Sequence, residues 1–206
     1  MAALVKPFLQ TLEGFDAAIL GVTPDDAFGA WTFGLNEPLQ IIINGCVNLS
    51  SKYDQNVFLS QSSIEESRLP AGLIRIVVEA REKKIASILW IIQKILLELA
   101  SDVGCERQNP RCNDSMYGSL CRNLPGYVGS PNCRSADILH TALTLREDIE
   151  AVVRDKVWST RSSGHRGCAE ALNIADMIKE EDSKIDEEVR QKVRVLMAEK
   201  SRTEDK

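Results

Sequence analysis

Apolar residues recur along most of this chain at helical spacing, and no stretch alternates in the way of a half-buried strand. Leu4, Phe8, Leu12, Phe15 and Ile19 predict a first helix over 2–20. Thr23-Pro24-Asp25-Asp26 marks a second start: a capping hydroxyl, a proline suited to the first helical position, and two carboxylates at the positive end of the dipole. Gly29 and Gly34 flank Phe28, Trp31 and Phe33 and keep that helix short. Asn36-Glu37-Pro38 opens a third, whose stripe of Leu39, Ile42, Ile43, Cys46, Tyr53 and Val57 extends it through 59. Ser62 with Glu65, or Ser63 with Glu66, has the form of a capping box, and Pro70 either kinks that segment or begins it afresh.

The strongest pattern covers 71–103. At about 100° per residue, Lys83, Ser87, Lys94, Glu98 and Ser101 fall within about 60° of one another. Ile85, Ile88, Leu89, Ile92, Ile95, Leu96 and Leu99 fill most of the remaining circumference. A helix with so narrow a polar stripe belongs at the centre of a bundle. Its apolar run is too short and too charged for the roughly 20 residues that a membrane span needs, so no transmembrane span is expected.

Residues 104–134 change character. Glycines, prolines and asparagines punctuate them, and Cys105, Cys112, Cys121 and Cys133 fall among these turn formers, predicting a cysteine-rich loop. Helix resumes over 135–158, where Ile138, Ala142, Leu145, Ile149 and Val152 have the 4-3 spacing of a packed seam. A last helix is predicted over 166–200, with a break near Asp182-Ser183 and an outward Glu188–Lys192 pair. Its apolar series is Leu172, Ala175, Ile178, Ile185, Val189, Val193 and Leu196, and residues 198–206 read as a frayed charged tail. The sum is an all-α fold: a single helical domain over 1–206, an irregular bundle of five or six helices around a central apolar helix, with a cysteine-rich loop insertion.

Composition changes this picture little. The 206 residues are 44% hydrophobic and 27% charged, an ordinary globular balance. The net charge of −5 carries no basic surplus of the kind nucleic acid selects, so nucleic-acid binding is not expected. Acid is concentrated early: Lys6 and Lys52 are the only bases before Arg68. The N-terminal stretch is interrupted at Lys6-Pro7 and lacks the pattern of a secretory signal or a mitochondrial presequence.

The cysteines carry the best-defined chemistry. In an oxidising compartment Cys105, Cys112, Cys121 and Cys133 read as a disulfide framework; in the cytosol they are reduced thiols. The sequons at Asn48 and Asn113 are compatible with secretion. Zinc is a poor fit, because six, eight and eleven residues separate these cysteines where ligand pairs are usually two to four apart. His165 and Cys168 approach a usable spacing but lack a third group to orient the base, and His140 faces away from the Ile138 seam. No nucleophile elbow, phosphate loop, dinucleotide glycine pattern or di-iron motif occurs. No catalytic residue, cofactor or metal is therefore assigned. The expected role is a non-catalytic structural or protein-binding subunit that meets a protein partner, or its own copies, through Ile185, Val189, Val193 and Leu196. A secreted, disulfide-stapled protein that binds an apolar ligand or surface is the alternative, and an enzyme of unknown class comes third.

Overall fold

The fold is all-α. The structure, a computed structural model, describes residues 23–51, 59–60, 64–65, 67–101, 109–124, 141–155 and 172–204. Six helices account for nearly all of these: α1 (Pro24–Thr32), α2 (Asn36–Leu49), α3 (Ala71–Ala100), α4 (Pro110–Asn123), α5 (Ala142–Asp155) and α6 (Ile174–Glu204). The chain gathers into two compact units. One holds 1–82, 139–142 and 184–206; the other holds 83–138 and 143–183.

In the first unit the predicted cap of α1 is complete. The Thr23 hydroxyl accepts from the Asp26 amide, and Asp26 Oδ2 accepts from the Thr23 amide at 2.9 Å. The turn after α1 needs a residue at φ +69°, which Gly34 supplies without a Cβ penalty. α2 stops at Leu49, well short of 59; Tyr53 and Val57 lie outside the described residues. Ser50–Ser51 instead leaves the helix extended and pairs in parallel with Leu59–Ser60, a two-residue ladder that no periodicity announced. Leu39, Ile42, Ile43 and Cys46 are buried as their stripe requires.

Pro70 begins a helix afresh: its carbonyl accepts from the Leu73 and Ile74 amides at the head of α3. α3 is buried along most of its circumference, from Leu73 and Val77 in the first unit to Ile85, Ile88, Ile92 and Ile95 in the second. Two cations share that interior. Arg81 and Lys84 are both buried, and Arg81 Nε donates to the Ser50 carbonyl at 2.9 Å, linking α3 to the end of α2.

The second unit corrects the expected loop over 104–134, because α4 occupies its middle. Asn109 is the N-cap, its Oδ1 accepting from the Arg111 amide at 3.1 Å, and Pro110 takes the first turn. Asn113, Met116, Leu120 and Leu124 are buried at 3-4-4 spacing. Residues read as turn formers are thus the start signal of a helix. α5 buries Ala142, Leu145 and Ile149, while Ile138 and Trp158 lie outside the described residues.

α6 is unbroken through Asp182-Ser183, where a break was expected, and helical to Glu204, past the expected point of fraying. The reason for continuity is local. Ser183 Oγ donates to the Lys179 carbonyl at 2.8 Å, so the hydroxyl satisfies itself along the helix. Asp182 faces Arg146 of α5 at 3.5 Å. The first helix predicted over 2–20 and the capping serines Ser62 and Ser63 lie outside the described residues.

Candidate interaction surfaces

Three surfaces bear on function. The first is the C-terminal seam. Ile185, Val189 and Val193 are buried within their own chain, in the first unit, as is Met197 beyond them. Leu196 is half-buried over Gly72: a Cβ at Gly72 would meet Leu196 Cδ1 at 3.1 Å, so the glycine sets how closely α6 approaches α3. Of the four residues of the stripe, Leu196 is the one left partly exposed. The expected Glu188–Lys192 pairing is replaced by a longer one, Lys192 Nζ to Glu79 Oε2 at 3.1 Å, which ties α6 to α3. Further along, Lys200 Nζ donates to the Trp31 and Thr32 carbonyls at 2.7 and 3.1 Å and lies 5.4 Å from the Trp31 ring centroid. A cation thus closes the negative end of α1.

The second surface is a groove of about 410 Å³ between α3 and α6 in this same unit. Gly72, Ile76, Val195 and Leu196 form its apolar lining, and Arg75, Glu79, Lys192 and Glu199 its charged rim. Val195 is 48% exposed.

The third surface was missed at the level of sequence. In the second unit Trp90 is 57% exposed and Leu97 69% exposed, the two lying seven residues apart on α3. A signal for this existed. At about 100° per residue both fall within about 40° of Lys83 and Ser101, on the edge of the polar stripe. Ala86, Gln93 and Ala100 are exposed beside them. Lys94 sits 5.7 Å from the Trp90 ring centroid and 3.9 Å from Glu98 Oε1.

The cysteines divide by environment. Cys46 lies within α2, and burial, with the Asp26 carboxylate nearby, pushes its thiol from 9.0 up to about 12. A thiol so protonated is no nucleophile at neutral pH. Cys112 and Cys121 stand on α4 nine residues apart, a rise of about 13 Å. Disulfide carbons rarely exceed about 7 Å, so these two cannot join each other. Cys105, Cys133 and Cys168 lie outside the described residues, as do His140 and His165. Among the described residues no group of three or more His, Cys, Asp or Glu side chains is arranged to hold a metal. Nor, among them, is any helix long and apolar enough to cross a membrane. Both acceptor asparagines are helical: Asn113 is buried in α4, and Asn48 lies in the last turn of α2 beside the buried, extended Ser50, so neither stands in an exposed acceptor loop.

No known protein family, characterised protein or solved structure matches this chain.

Proposed function

We propose that the protein is a non-catalytic, protein-binding helical subunit. The observation that carries the reading is the exposed apolar face of α3. Trp90 and Leu97 leave large hydrophobic surface in water on a helix that buries Ile85, Ile88, Ile92 and Ile95 on other faces. Tryptophan at an exposed, helix-mounted position is the residue type that dominates protein–protein contacts. The test is native mass spectrometry of the protein drawn gently from its source. Retained protein mass that disappears with Leu97→Glu supports the reading. A bare single chain at every concentration, with the same result for the variant, overturns it.

A second reading rests on the groove between α3 and α6. Its volume lies in the range of small-molecule sites, about 300–1,000 Å³, and its lining is apolar. That favours an elongated apolar ligand. Disulfides belong to this reading: Cys112 and Cys121 would each bond a cysteine outside α4, the partners being among Cys105, Cys133 and the other cysteines. Thiol titration of denatured protein, with and without reductant, tests the bonds. Displacement of an apolar fluorescent probe by Val195→Trp tests the groove.

A further inference from the structure

We draw no further inference here: the strongest candidate, the exposed face of α3 that carries Trp90 and Leu97, is an unpartnered apolar face, and nothing in the structure shows what covers it.

Discussion

At the residue scale, the informative positions are polar groups in apolar surroundings. Cys46 is held protonated by burial within α2, and the sign of its effect on stability follows from that. The folded state keeps the proton up to about pH 12, whereas the unfolded chain releases it near 9.0. The contribution is therefore complete below pH 9 and is lost as pH rises toward 12, at up to about 1.4 kcal/mol per pH unit. Cys46→Val should flatten the decline in unfolding free energy over that interval, measured by urea titration at several pH values. In native protein, Cys46 should resist iodoacetamide at pH 8 while the half-buried thiol of Cys121 reacts, as mass spectrometry of the labelled peptides will show. Arg81 illustrates the opposite case. Burial lowers its pKa, the neighbouring Glu82 offsets part of that, and its Nε meets the Ser50 carbonyl. Nothing in local sequence distinguishes Arg81 and Lys84 from solvated neighbours such as Lys83, since burial of a cation is decided by what the rest of the fold brings to it.

At the element scale, α3 shows what periodicity can and cannot read. Its apolar arc from Ile85 to Leu99 was legible because large aliphatic residues so concentrated have to be enclosed. The exposed arc was harder, because Trp90 and Leu97 are apolar and stand in water, and periodicity assigns apolar residues to cores. α4 was illegible for a different reason. Asn109 and Pro110 serve turns and helix starts alike, and the choice depends on the burial of Met116, Leu120 and Leu124, which is a tertiary fact. Asp182 on α6 likewise meets Arg146, 36 residues away, a contact no local pattern announces. Two substitutions test the packing of these helices. Ile92→Asp places an unpaired carboxylate in the interior of the second unit, and should cost several kcal/mol, on the order of 3–5. A thermal melt unchanged from wild type would show that α3 is not central. Gly72→Val acts in the first unit. Its Cβ alone would stand 3.1 Å from Leu196 Cδ1, and the added methyls force α6 outward. A loss of about 1–3 kcal/mol is expected from overpacking, read from the shift in denaturant midpoint.

At the scale of the whole molecule, the all-α class followed from helical spacing throughout the chain, and the two-unit division did not, because α3 and α6 each run through both units without a break in sequence pattern. The C-terminal seam belongs to the same scale. A regular apolar stripe with charged flanks suits a partner helix and an internal neighbour equally well in sequence. The burial of Ile185, Val189, Val193 and Met197 within one chain favours the internal neighbour. Their contribution can be bounded. Each large apolar side chain fully buried is worth about 1.5–3 kcal/mol, so the four together supply roughly 6–12 kcal/mol, an upper figure because unfolded chains already bury part of this surface. That equals much of the net stability of an ordinary domain, about 5–15 kcal/mol. Truncation after Asp182 removes all four, with the Lys192–Glu79 and Lys200–Trp31 contacts. The shortened chain should lose the cooperative unfolding of the first unit, and fluorescence of Trp31 should report an unfolded environment without denaturant. A chain that instead keeps its helical signal and its melting transition, and loses only association, would mean that the seam serves a partner after all.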